Sequence, residues 1–201
     1  MTANLEARPT MSPAGSERRR HLPGVEGVWV FVYADMAVFA LIFGSFMWDR
    51  HHAPELFETS RQALSLNFGG INTLILLTSS MLVVLGVDVL KVGRTHLAPW
   101  FFGSAAACGV AFIASKIVEY GHKFDAGIGL TTNAFFQYYF IMTGLHLGHV
   151  AVGTVIVAVL AAKSRNEHPG CSLTLYEGGA TYWHMVDLLW VCIFPLLYLV
   201  R

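Results

Sequence analysis

Five unbroken apolar stretches, each about twenty residues or longer, constrain this chain more than any other feature. They fall at about 27–48, 68–90, 98–119, 134–162 and 178–200. A hydrocarbon core about 30 Å thick is crossed by roughly 20 residues of α-helix. Within lipid the backbone must satisfy its own hydrogen bonds, so only helices and closed barrels span it. Barrel strands run about ten residues and alternate in polarity, and these stretches do neither. The sequence therefore predicts an all-α, polytopic membrane protein: a five-transmembrane-helix bundle over residues 25–201, behind a polar tail at 1–24.

Composition agrees. Of 201 residues, 55% are apolar and only 13% charged, against about 25% charged in a typical soluble domain. Thirteen basic side chains balance thirteen acidic ones, which offers nothing to nucleic acid. The tail is rich in Pro, Ser, Glu and Arg and ends in Arg18, Arg19 and Arg20. It lacks the apolar surface to fold alone and is expected to be disordered. A twin-arginine export signal does not fit, because the stretch that follows exceeds the roughly 7–15 residues of a signal core and no small-residue cleavage site comes after it. Cys108, Cys171 and Cys192 form no CxxC pair and no haem-attachment motif.

Lys and Arg counts set the expected orientation. Arg8, Arg18, Arg19, Arg20, Lys91, Arg94, Lys163 and Arg165 lie on one side, and Arg50, Arg61, Lys116, Lys123 and Arg201 on the other. The excess favours a cytoplasmic N-terminus and an external C-terminus in a bacterial inner membrane. Gly144 and Gly148 form a GxxxG, and Gly69, Gly70, Gly103 and Ala107 add small surfaces; packing inside the bundle and a dimer contact are both open to them. Pro195 is expected to kink the fifth span and free the Val191 carbonyl.

Ionisable groups at membrane depth need a partner or a purpose. Asp35 is either a proton-exchanging or lipid-facing acid, or a hydrogen-bonded carboxyl joining two helices. His146 and His149, three apart, share a helix face, as do His184 and Asp187 beside Tyr182 and Trp183. These side chains suit either a metal site or a polar seam of neutral imidazoles. Lys116 with Glu119, and Asp88 with Lys91, read as local pairs near span ends whose stems snorkel. Tyr138, Tyr139, Trp100 and Trp183 fit an interfacial aromatic belt. His51, His52, His122 and His168 show no chelating pattern.

Thr143-Gly144-Leu145-His146-Leu147-Gly148-His149-Val150, followed by Gly153, resembles the TG-aromatic-H-x-x-HV-x-x-G signature of haem-copper oxidase subunit III. Tyr182-Trp183-His184-Met185-Val186-Asp187, with Trp190, resembles that family's YWHFVD-x-x-W block. Glu119-Tyr120 and Asn72-Thr73 match two further positions, all in family order over about 27–200. Family members commonly have seven spans, and this chain resembles the shorter five-span form. Ala34-Asp35 stands where the family usually has Ser-Glu, which, with the Trp-rich opening, resembles the branch associated with nitric oxide reductase.

The resemblance implies a non-catalytic accessory subunit that packs against catalytic subunit I of a haem-copper oxidase or nitric oxide reductase. It would retain phospholipid between its helices and support assembly and sustained turnover. Asp35 would be the intramembrane acid. Glu119, His146, His149, Trp183, His184 and Asp187 would line the polar, lipid-contacting seam, and none would bind metal. Haem and copper would sit on the partner, because only His146, His149 and His184 fall within the spans and no paired cysteines exist for a dinuclear copper centre. Two other readings compete: a free-standing membrane metalloenzyme using His146, His149, His184 and Asp187, and a proton-coupled carrier using Asp35. The carrier lacks the internal repeat and broken helices common in such proteins.

Overall fold

The computed structural model describes residues 26–166 and 173–199. The tail at 1–24, His168, Cys171 and Arg201 lie outside the described residues. Six helices follow in order: α1 (Glu26–His52), α2 (Pro54–Gln62), α3 (Leu66–Lys91), α4 (Ala98–Asp125), α5 (Ala134–Ser164) and α6 (Thr174–Phe194). All but α2 are long and apolar enough to cross a membrane. α2 is nine residues of mixed polarity begun by Pro54, too short to span and invisible to a search for apolar runs.

Local chemistry fixes the ends. Gly93 (φ 81°) and Gly127 (φ 72°) take the left-handed conformation that closes α3 and α4. The amide of Arg94 donates to Val89 (2.8 Å) and that of Ile128 to Lys123 (2.9 Å), so both turns consume a free helix carbonyl. Asn133 caps α5 by accepting from the Phe136 amide at 2.9 Å, and its own amide donates to Ser60 of α2 at 2.9 Å. At Pro195 the α-helical ladder of α6 stops and the chain continues as a wide π-helical turn, Pro195–Leu199. A proline cannot donate and its ring crowds the preceding turn; the wider turn accommodates both.

α3, α4, α5 and α6 form a ring in that order, each packed on the next and α6 closing on α3, while α1 lies outside against α5 and α6. In lipid there is no hydrophobic drive between helices, so close van der Waals fit must hold them. Glycines supply it at particular crossings. The ring of Trp183 on α6 enters a slot made by Gly109 on α4 and Gly153 on α5, with a Cβ at Gly153 falling 2.7 Å from it. Gly69 receives Phe194 and Tyr198, and Gly86 receives Phe102. The GxxxG is different: a Cβ at Gly148 would meet nothing within 4 Å, and one at Gly144 only the Tyr120 hydroxyl at 4.0 Å. Gly70 and Gly103 also face open space. Of the small residues singled out in the sequence, only Gly69 is a tight contact.

Two further expectations are corrected. Tyr139 and Trp183 are fully buried rather than interfacial, whereas Trp100 is 77% exposed. Lys91 pairs with Glu177 of α6 at 3.1 Å instead of with Asp88 on its own helix.

Gly153→Ala is expected to lower the thermal unfolding midpoint in detergent, because overpacking a close crossing costs about 1–3 kcal/mol. Gly148→Ala should leave the midpoint unchanged. Equal midpoints for the two variants would refute the slot assignment.

Candidate functional site

The strongest polar grouping is inside the ring, near the end where α4 and α6 finish. Glu119 accepts from the Lys116 ammonium (2.8 Å) on one oxygen and from the hydroxyls of Tyr139 and Tyr198 (2.7 Å each) on the other. Lys116 has no solvent exposure and Glu119 has 3%. The ammonium also lies 5.2 Å from the ring centroids of both Tyr139 and Trp190, where π faces attract a cation. Reading this pair as a snorkelling boundary pair is therefore wrong. α4 continues to Asp125, so residues 116 and 119 sit well inside the helix and on its inward face. Burying both charges is tolerable because they pair with each other and both carboxylate oxygens accept hydrogen bonds.

The same end is fastened to α2. Arg61 donates to the Tyr198 carbonyl at 3.1 Å, the Lys123 ammonium donates to the Ala63 carbonyl, and Tyr138 of α5 donates to Asp49 of α1 at 2.7 Å. Arg61 also donates to Glu58, and this hydrogen bond holds the exposed Glu58 carboxyl below its ordinary range.

Asp35 meets His149 across the α1–α5 contact, with Oδ1 to Nε2 at 3.1 Å. The His149 ring donates from Nδ1 to the Leu145 carbonyl at 2.8 Å. In a neutral ring that tautomer leaves Nε2 without a hydrogen. The contact ties α1 to α5. The second carboxyl oxygen of Asp35 is buried without a partner. Beside this pair lies an apolar cleft of about 830 Å³, lined by Phe31, Gly148, His149, Val152 and Tyr182 among others. Here the open face of the GxxxG finds its use: Gly148, where an added Cβ would meet nothing within 4 Å, leaves room beside α1.

The other histidines are engaged separately. His146 is fully buried, stacked on Trp190 (5.2 Å between centroids) and edge-on to Phe112 (5.6 Å), with both ring nitrogens unpaired. His184 Nδ1 lies 2.7 Å from the Ser80 hydroxyl of α3, and Ser80 also interacts with the Asp187 carboxyl. Trp190 donates to Thr73 at 3.0 Å, tying the last motif to the Asn72-Thr73 pair. Trp183, grouped with the polar lining in the sequence, acts as a packing wedge whose indole nitrogen has no partner. Thus the two histidine motifs are brought together as helix contacts, but His146, His149 and His184 each face different neighbours. Among the described residues no group of three or more His, Cys, Asp or Glu side chains is placed to hold a metal ion. Sequence reasoning missed Tyr198 and Ser80 and placed Tyr139 in an aromatic belt. Only their spacing on inward faces of α5, of α3 and of the turn after α6 could have signalled their role.

Lys116→Met is expected to destabilise strongly, by about 3–5 kcal/mol, because it strands a buried carboxylate. Lys116→Met with Glu119→Gln should recover most of that loss. Thermal unfolding of the two variants measures the difference, and a double variant no better than the single would refute a charge-paired core.

A ring of membrane-length helices with interhelical histidine seams defines a polytopic helical membrane protein. The chain matches the Cytochrome c oxidase subunit III family over residues 23–200. It is 32% identical over 177 residues to cytochrome c oxidase subunit 3 of Synechocystis sp., covering 86% of this chain and 74% of that one. It is 33% identical over 178 residues to cytochrome c oxidase subunit 3 of Alkalihalophilus pseudofirmus, covering 86% and 84%. A third relative is the heme-copper oxidase subunit I+III of Aeropyrum pernix, 31% identical over 182 residues, which cover 86% of this chain and 22% of that longer protein. The chain belongs to the cytochrome c oxidase subunit III family.

Proposed function

We propose that this chain is an accessory subunit III of a bacterial haem-copper terminal oxidase. It packs against catalytic subunit I, carries no redox centre of its own, and supports assembly, lipid retention and sustained electron transport. The observation that carries this reading is that both histidine motifs are spent on contacts between helices. His146 and Trp190 stack within the ring, and His149 binds Asp35 across to α1. Chemistry-bearing side chains are thereby committed to holding helices together, which is what a scaffold needs. The Aeropyrum pernix relative, named for subunits I and III together, supports the choice of partner.

Phospholipid fits the apolar cleft beside Asp35 and His149, which is open along α1 and α5 and floored by Gly148. A lipid chain there would seal the Asp35–His149 pair from water or, on leaving, expose it. We assign Asp35 as a proton-exchanging acid in that setting, with Glu119, His146, His184 and Asp187 as the polar seam and Trp183 as its wedge. The excess of Lys and Arg beside the first span supports a cytoplasmic N-terminus in the inner membrane. Ala34-Asp35 favours one second reading, in which the partner reduces nitric oxide rather than oxygen.

Mild-detergent purification of the full chain, with mass spectrometry and a visible spectrum, tests the assignment. Co-purifying haem-copper subunits with haem bands are expected, and the partner's identity separates oxygen from nitric oxide reduction. A colourless protein with no such partner would overturn it, and stoichiometric metal on the lone chain would revive the metalloenzyme. Asp35→Asn is expected to leave assembly intact and to change turnover or the rate of its decline. Unchanged turnover and decline would reduce Asp35 to a helix tie.

A further inference from the structure

We propose that the interior of the ring holds a bound-water site, formed by Asn72 of α3, Lys116 of α4 and His146 of α5 beside the Trp190 indole of α6. It does not depend on the subunit III reading. Among the described residues, seven buried side-chain polar atoms lack a hydrogen-bond partner. Four of them are the two amide atoms of Asn72 and the two ring nitrogens of His146. Asn72, Lys116, His146 and Trp190 all have no solvent exposure. A buried polar atom left unpaired costs free energy comparable to a lost hydrogen bond, so this concentration calls for a partner.

Trp190 brings these side chains to one place. Its ring stacks on His146 at 5.2 Å between centroids, and the Lys116 ammonium lies 5.2 Å from its centroid. Its Nε1 donates at 3.0 Å to Thr73, the residue after Asn72. Helix register agrees. Gly86 of α3 meets Phe102 of α4, and Ser79, earlier on α3, donates to Ala105, later on α4, so the two helices run antiparallel. About four turns beyond the Gly86–Phe102 contact, α3 reaches Asn72 and α4 reaches Lys116. Gly69, one turn from Asn72 on the same buried stripe, faces Phe194 and Tyr198, which turns that stripe toward the interior of the ring.

The chemistry of the lining selects the occupant. Lys116 already pairs with Glu119 at 2.8 Å, so its ammonium does not call for an anion, and it repels a cation. Of the three ammonium protons, one goes to Glu119, and the next acceptor is the Tyr139 hydroxyl at 3.5 Å. The ammonium stands 5.2–5.5 Å from the centroids of Tyr120, Tyr139 and Trp190, so no aromatic face is pressed against it. A neutral imidazole offers one donor and one acceptor, and an asparagine amide offers both kinds. The occupant must be small, neutral and able to donate and accept at once, which describes water. Buried waters typically make about three hydrogen bonds to groups that otherwise have none. Trp183 marks the contrast: its Nε1 also lacks a partner, but it is a lone donor in a slot that its own ring fills.

The test is X-ray radiolytic footprinting of the full chain in mild detergent, read by mass spectrometry of its tryptophans. Ionising radiation splits water where it stands, and the hydroxyl radicals oxidise the side chains beside it. Trp183 and Trp190 lie on the same helix and are equally buried, at 1% and 0% exposure, so one controls for the other. Trp190 is expected to be oxidised several-fold faster than Trp183. His146→Phe keeps an aromatic ring against Trp190 and removes both nitrogens, and Asn72→Leu keeps the volume and removes the amide. Each should bring the Trp190 rate down toward that of Trp183, with the Trp183 rate itself unchanged as the sign of an intact bundle. A Trp190 rate no higher than that of Trp183 in the wild-type protein overturns the proposal, whether or not the variants fold. So does a high Trp190 rate that persists in both variants with the bundle intact. Absence of a haem-copper partner would defeat the functional reading and leave this result intact.

Discussion

A carboxylate buried among membrane helices persists only when it is paired and its oxygens have donors, and Glu119 is the point at which this bundle meets that demand. Lys116 comes from the same helix, Tyr139 from α5 and Tyr198 from the turn after α6. Three chain segments must therefore arrive together, and each arrival has further conditions. Tyr198 reaches Glu119 from the π-helical turn that begins at Pro195, and Arg61 of α2 fixes that turn by its carbonyl. Lys123 and Asn133 hold α2 from the other side. The proline, the short helix and the buried ion pair are one construction.

The middle of the bundle obeys the same constraint with weaker contacts. Asp35 and His149 meet at the α1–α5 contact, Ser80 and His184 tie α3 to α6, and Trp190 reaches Thr73. Within the ring, Trp183 in its glycine slot also holds α6 against α4 and α5 by shape. α1 is held to α5 and α6 by Asp35–His149, Tyr138–Asp49, the stacking of Phe31 on Tyr182, and the buried rings of Phe39 against His149 and Phe46 against Phe135 and Tyr138. The span carrying the proposed proton-exchanging acid is also the one least enclosed by its neighbours, beside the apolar cleft.

The number of spans was legible because lipid imposes it: twenty apolar residues can do little else in a membrane. The family was legible because two histidine motifs retain their order and spacing. What escaped the sequence is which face each residue presents. Lys116 and Glu119 looked like a boundary pair because hydropathy falls where charge begins, yet α4 runs past them to Asp125. His146 and His149 share a broad helical face, but their three-residue spacing still offsets their side chains around the axis. That offset is enough to send one ring onto Trp190 and the other to Asp35. α2 has no periodic signal long enough to notice, and its role emerges only from hydrogen bonds to residues distant in sequence, such as Tyr198.

Small residues make the same point from the opposite direction. In a soluble protein a glycine or alanine stripe facing outward is an unfilled surface, with water on it. In a bilayer the solvent is itself chain-shaped, so an outward stripe becomes a groove that fits it. Gly109, Gly153 and Gly69 are occupied by neighbouring aromatic rings, whereas Gly148 and Gly103 face open grooves. The first set determines how the helices cross, and the second leaves room along helices that have already crossed. A motif search cannot separate them, since Gly144-x-x-x-Gly148 and Gly109 differ only in what stands opposite. The identity of that opposing surface, ring or lipid, decides whether a small residue belongs to the fold or to a binding site.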